Sequence, residues 1–491
     1  MRSRIGPVEI HINGVGEMGV TKKVSRREIL GGLVGAAGAA VLSYPARAGS
    51  MNTERRRGIT GVSRDRADLA VPPDGDGFRY GTGYLFQAGP TQAGLLCNLR
   101  TEGFPVGDFE AGMDAVIFDD AAKIARAKPV PVTRTTKYAD RITGQPRIVL
   151  KHGVKGGFVP LGARRPDGSP HPFAGTGVGL CEALDFPMKG NGYYDKREKT
   201  RGMVRTTEVQ HLAFDGKQLS VTGVETFTEA NPLRVAGTKW KIYCPSLRMG
   251  IPDGDDLLMA VAATTGDTRV WFAKPHTVGM SRWRCLDGRW RPIEFHPVIA
   301  DAKTSKPQVV YGVTVRLVPI EPTLIRDIDG SLLFSARFAY EAYDEHVLRV
   351  WRSVDGAEWK RVLEVPETKG QAPVSINRAA DGTPYLVSNP LGRERDRLVL
   401  WPLNDQRTGV LDPVLARDAL GQFGRAPSGK PWFMDHPNAA VVRLADGHWH
   451  NLLVYRIMDR GEHSGRPPAE QTGLYVETVH STGPERPMWN F

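Results

Sequence analysis

The stretch Asp435-His436-Pro437-Asn438 and the tyrosine at 455 hold the side chains best suited to moving a proton in the C-terminal part of the chain. An imidazole such as that of His436 can act as a general base or bind a sugar hydroxyl, and a phenol such as that of Tyr455 can share the proton work. Asn438 beside them is a candidate substrate contact. A base of this kind beside an arginine, whose planar fork grips a carboxylate bidentately, is the equipment a lyase needs to act on a uronate. Metal chemistry is not indicated. His152, His171 and His211 lack ligand spacing, and Cys97, Cys181, Cys244 and Cys285 include no close pair. No metal site and no cofactor is expected. The four cysteines are read either as buried thiols or as disulfides of an exported protein. The glycine-rich stretches His152 to Gly157 and His171 to Gly179 lack the lysine and the strand-then-helix frame of a phosphate loop. They read as connecting loops, one of which could touch substrate.

These side chains must be carried by strands. Asp-Gly pairs stand at 215, 253, 287, 329, 355, 381 and 446, most of them flanked by β-forming residues. Such pairs supply the positive φ angles of tight hairpin turns. Successive hairpins at 321–338 and 346–365 make a four-stranded unit, and further units fall at 373–403 and 437–481. A four-stranded unit recurring at this spacing is a propeller blade. The fold expected is all-β, a β-propeller of four-stranded blades, six in number, with five or seven as alternatives. A β-sandwich or a pair of β domains is the competing architecture. The best short helix candidate is Asp119 to Lys128.

The chain has 491 residues, 41 % hydrophobic and 24 % charged, which excludes disorder as its main state. Residues 22–48 read as an export signal. Lys22, Lys23, Arg26 and Arg27 precede a Gly/Ala-rich apolar stretch, and Ala46-Arg47-Ala48 fits a cleavage site. Ser25-Arg26-Arg27 resembles the twin-arginine signature, which implies a periplasmic or extracellular protein. Residues 49–78 read as a polar linker and 79–491 as the propeller domain. Without residues 1–48 the chain keeps 58 basic against 51 acidic residues and no basic block, so no nucleic-acid partner is expected. No membrane association is expected after signal removal.

Ser353-Val-Asp355-Gly356-Ala-Glu-Trp359 resembles the Asp-box turn of the sialidase (neuraminidase) superfamily, whose propellers carry such repeats. The resemblance assigns Ser353, Asp355, Gly356 and Trp359 a structural part. A longer order of residues is similar too: Glu321-Pro-Thr-Leu-Ile-Arg, Asp329-Gly330, then Phe334-Ser-Ala-Arg337. Ser388-Asn389-Pro390 and Arg395 follow in the next blade, as in that family. The resemblance covers about residues 320–481. It implies that Glu321 is the acidic partner of a nucleophile, and that Arg337 and Arg395 clamp the carboxylate of an acidic sugar. In that family a tyrosine opens the first strand of the last blade; the matching stretch here is Asp435 to Asn438, which contains none. Asp114, Asp119 and Asp120 are acid/base candidates by type alone.

The function expected is therefore an exported glycoside hydrolase, exo-sialidase-like, acting on a terminal acidic or related sugar. A polysaccharide lyase on a propeller scaffold is one alternative. A non-catalytic glycan-binding propeller is the other. In all three the partner is a carbohydrate.

Overall fold

All seven of those Asp-Gly glycines adopt positive φ in the computed structural model, from +61° at Gly254 to +95° at Gly216. Any residue with a Cβ pays for that conformation, so glycine marks where the chain doubles back. The structure describes residues 58–491 except 70–77, 102–109, 189–203, 245–247, 267–275, 300–307, 311–312, 316–317, 340–346, 369–371, 392–394 and 462–469. The expected export signal lies outside the described residues.

Six antiparallel sheets of four to five strands form a six-bladed β-propeller, the fold expected from the sequence. The innermost strands of blades 1 to 6 are Phe78–Gly89, Pro146–Phe158 (whose first four residues also pair with a short strand, Thr136–Ala139), Ile251–Asp253, Val318–Arg326, Ser375–Arg378 and Trp432–Arg443. Blade 4 continues outward through Leu332–Ala339, Leu348–Ser353 and Lys360–Val365. Each pair of neighbouring blades shares at least one hydrophobic cluster, and blades 1 and 2 share two, so strands are apolar on both faces. Between blades 4 and 5, for example, Ile325, Leu333 and Val350 meet Ile376, Leu386 and Trp401.

The ring closes with strands from both ends of the chain. Blade 6 runs outward from Trp432–Arg443 through Trp449–Asp459 and Gly473–Ser481, and its outermost strand is Ile59–Leu69. Val62 pairs with Val479 and Leu69 with Leu474. This corrects, over residues 59–69, the linker expected over 49–78. An edge strand needs backbone pairing on one side only, so a sequence as polar as Ser63-Arg-Asp-Arg66 can serve.

The glycine-rich stretches expected as loops are largely strands of blade 2, Pro146–Phe158 and Thr176–Pro187. The glycines permit close backbone approach: a Cβ on Gly156 would stand 1.6 Å from the Val178 carbonyl oxygen. The helix expected near Asp119 is a single 3-10 segment, Ala121–Arg126, capped by Asp120. Cys97, Cys181 and Cys285 are free thiols.

In the turn at 353–359, Ser353 Oγ accepts from Gly356 N at 2.8 Å. Asp355 Oδ1 accepts from Ala357 N at 2.9 Å and Glu358 N at 3.1 Å. Trp359 folds under the turn, donating Nε1–H to the Gly356 carbonyl at 2.9 Å and meeting Phe334 edge-on.

Candidate functional site

Four innermost strands carry the same irregularity near their entrance. Pairing with the second strand shifts by one residue between Tyr80 and Thr82 in blade 1, His152 and Lys155 in blade 2, Ile320 and Thr323 in blade 4, and Asp435 and Asn438 in blade 6. Such bulges re-aim side chains out of the ladder. In blades 2, 4 and 6 the bulge holds a residue in the left-handed region: Gly153 at φ +66°, Glu321 at +52° and His436 at +51°. Proline follows in two of them, Pro322 and Pro437, and lacks the N–H that a bulge leaves unpaired. Arg395 is also left-handed, at +38°. Non-glycine residues held there mark positions over-determined by their surroundings, which cluster at functional sites.

The bulges bring the candidates together. Glu321 accepts hydrogen bonds from Arg337 at 3.0 and 3.1 Å, and Arg337 lies opposite Ile320 on the second strand of blade 4. His436 Nε2 is 3.8 Å from Glu321 Oε1, which bridges blades 6 and 4. On its other side, His436 Nδ1 is 3.1 Å from Asp435 Oδ1. Asp435 is gripped bidentately by Arg456, at 2.7 and 2.8 Å. Arg395 stands 3.8 Å from Asp435 and lies over the Phe433 ring, 4.4 Å from its centre. The loop bearing Arg395 is fixed by Asn389, whose Nδ2 donates to the Arg397 carbonyl at 2.7 Å and the Met434 carbonyl at 3.1 Å. Glu321, Arg337 and His436 each keep about a fifth of the side chain exposed, so the cluster opens to solvent.

The electrostatics follow from burial and charge. Burial pushes the Glu321 carboxyl up, but Arg337, then His436 and Lys155, outweigh it and hold it below the usual carboxylate range. Burial opposes ionisation of Asp435 as well, and Arg456 with His436 holds it well below that range. Both carboxylates are therefore ionised at neutral pH. Beneath them Arg248 donates to the Leu324 and Ala439 carbonyls, both at 3.2 Å, and burial pulls it down to about 10.

Other expected site residues lie elsewhere. Tyr455 is buried in the core between blades 5 and 6, stacked on Tyr475, and burial raises its phenol well above the ordinary value. Side chains alternate along a strand, so its neighbour Arg456 faces Asp435 while Tyr455 faces away. Asn438 is fully buried, and its Oδ1 accepts from Leu85 N of blade 1 at 3.4 Å. It is a strut between blades rather than a substrate contact. Asp114 is buried and bonded by Arg134 and by Tyr80 Oη, the latter at 3.0 Å. Asp119 lies at the opposite end of the propeller, its carbonyl accepting from Ala445 N at 2.9 Å just past the exit of the inner strand of blade 6. Asp120, its neighbour, caps the 3-10 segment there. His171 Nε2 lies 3.0 Å from the Gly254 carbonyl, and His211 Nε2 lies 2.7 Å from Glu225. Among the described residues no group of three or more ligating side chains could hold a metal ion. Asp435, Arg456 and Lys155 were not singled out from sequence. The X-Pro pair at 436–437 is the signal that marks the strand carrying Asp435, and Arg456 stands opposite Asp435 on the second strand of that blade.

No protein-family model and no curated protein matches the chain. Solved structures do. A protein of unknown function from Dyadobacter fermentans is similar with a TM-score of 0.50 and 14 % identity, over 86 % of this chain and 99 % of that one. The NanB sialidase from Streptococcus pneumoniae has a TM-score of 0.45 and 10 % identity, over 81 % of this chain and 68 % of that one. An alpha-L-arabinofuranosidase from Fusarium graminearum has a TM-score of 0.45 and 10 % identity, over 84 % and 97 %. At these identities the likeness concerns the propeller fold.

Proposed function

We propose that this protein is an exported glycoside hydrolase acting on a terminal acidic sugar. The observation that carries the reading is the contact chain Arg337–Glu321–His436–Asp435, with Arg395 beside it, assembled from three blades at one entrance. Glu321 and His436 are too close to stand on opposite sides of a glycosidic bond, where paired carboxylates are held about 5–9.5 Å apart. They form one proton-transfer unit. His436 Nε2 takes a proton from the water whose oxygen attacks the anomeric carbon as the glycosidic bond breaks; the departing sugar oxygen takes a proton from solvent, and the imidazolium, which lies between the Glu321 and Asp435 carboxylates, returns its proton to water. Arg337, Arg395, Arg456 and Lys155 set four cationic groups against those two carboxylates, a surplus that suits an anionic sugar. The turn at 353–359 has the hydrogen bonds that an Asp-box requires, which supports the sialidase-superfamily reading of the fold. Export rests on residues 22–48. Replacing Arg26 and Arg27 by lysine should leave precursor in the cytoplasm, and normal export of that variant would refute this part.

A second reading, a polysaccharide lyase, is favoured by one feature: His436 with an adjacent arginine is a single base beside a charge neutraliser. Digestion of a panel of acidic glycans, read by mass, separates the two. A hydrolase adds water across the broken bond and leaves a reducing sugar. A lyase leaves an unsaturated, ultraviolet-absorbing product of the original total mass. A panel that binds but is not cut would reduce the protein to a glycan-binding propeller.

A further inference from the structure

The bulge register singles out one more side chain. In blades 4 and 6 the residue that resumes the ladder is short and tied to the next blade: Thr323 Oγ1 accepts from Ile376 N at 3.0 Å, and Asn438 Oδ1 from Leu85 N at 3.4 Å. The same register position in blade 2 is Lys155, paired with Leu180 directly after the bulge. An ammonium cannot accept a hydrogen bond, so Lys155 cannot repeat that strut. Its Nζ lies 5.0 Å from the centre of the Tyr84 ring of blade 1. It also helps hold Glu321 ionised, although Glu321 belongs to blade 4. Lys155, rooted on the inner strand of blade 2, thus interacts with groups of both blade 1 and blade 4. Lys155 is 8 % exposed, so its charge is only lightly screened by water.

We propose that Lys155 is a specificity-determining residue of this site, its ammonium binding an anionic substituent of the sugar beside Glu321. The proposal rests on the acidic-sugar reading above. A lysine at this depth favours a carboxylate by direct ion pairing and gives a neutral sugar no equivalent contact. Arg337 and Lys155 would then hold the acidic group from blades 4 and 2, with Glu321 and His436 between them.

The test is calorimetric titration of the full-length mature protein with glucuronate, galacturonate, N-acetylneuraminate and glucose, for the wild type, Lys155→Met and Lys155→Arg. Melting temperatures serve as the check on folding. The expected result is that Lys155→Met weakens the best acidic probe about tenfold or more, leaves glucose unchanged, and melts close to wild type. Lys155→Arg should recover part of the loss, because it restores the charge. Unchanged affinity of Lys155→Met for the acidic probe overturns the proposal. So does an equal loss for acidic and neutral probes, which would show a packing role. If Lys155→Met fails to fold, Lys155→Arg decides alone: a shift in acidic-over-neutral preference supports the proposal, and none refutes it. A wild type that binds no acidic probe removes the acidic-sugar reading itself, and this inference with it.

Discussion

Glu321 Oε1 and His436 Nε2 lie 3.8 Å apart, each carried by a left-handed residue inside a bulge of its own blade. Two strained positions meeting at one point are hard to explain by stability alone, because each costs on the order of 1–3 kcal/mol that glycine would avoid. The strain therefore predicts a trade between stability and function. His436→Gly should melt higher than His436→Ala by the equivalent of about 1 kcal/mol, since glycine accepts the backbone and alanine does not. Both should be inactive. Equal melting temperatures would show that the bulge relaxes and stores nothing.

Asp435 gives the site a defined response to acid. Its carboxyl is held well below the usual range, against the cost of burial, chiefly by Arg456 and His436. A depressed carboxylate contributes stability that is fully present above its unfolded value of about 4 and is lost as pH falls through the lower folded value. Asp435→Asn leaves Arg456 buried without its charge partner and should destabilise the protein at neutral pH by about 3–5 kcal/mol. The gap in melting temperature between wild type and Asp435→Asn should shrink as pH drops below about 4. A gap independent of pH would show that the ion pair contributes little.

The C-terminal blades were legible because their hairpins turn at Asp-Gly. Glu321, Arg337 and Arg395 were named from the resemblance to the sialidase superfamily and His436 from its residue type in the stretch Asp435 to Asn438, and the structure brings the four into one cluster. Tyr455 was a plausible partner for His436 until register was known. One step along a strand reverses the face, so Arg456 reaches the site and Tyr455 packs in the core. Asn438 failed for a related reason: it resumes the ladder after the bulge, and its amide oxygen is spent on Leu85 N of blade 1. Blade 2 was misread because its glycines, needed for close strand approach, look like loop residues. The polar strand Ile59–Leu69 was hidden because edge pairing uses backbone atoms, which leave no mark on hydropathy.

The turn at 353–359 should matter for stability and hardly for chemistry. Trp359→Ala removes a half-buried ring that packs on Phe334 and bonds Gly356, and should cost about 2–3 kcal/mol. Asp355→Ala removes an acceptor for two turn amides and should lower the melting temperature by less. Either variant keeping its melting temperature while losing turnover would place the turn in the active site instead.

The central claim, that the cluster around Glu321 is an acidic-sugar active site, is tested most directly by comparing wild type with Glu321→Gln on the glycan panel. The substitution keeps shape and removes charge. On this account the wild type releases a free acidic sugar at neutral pH, and Glu321→Gln lowers kcat on the order of 100-fold or more with KM little changed. A Glu321→Gln variant that cleaves the same glycan at the wild-type rate would contradict it.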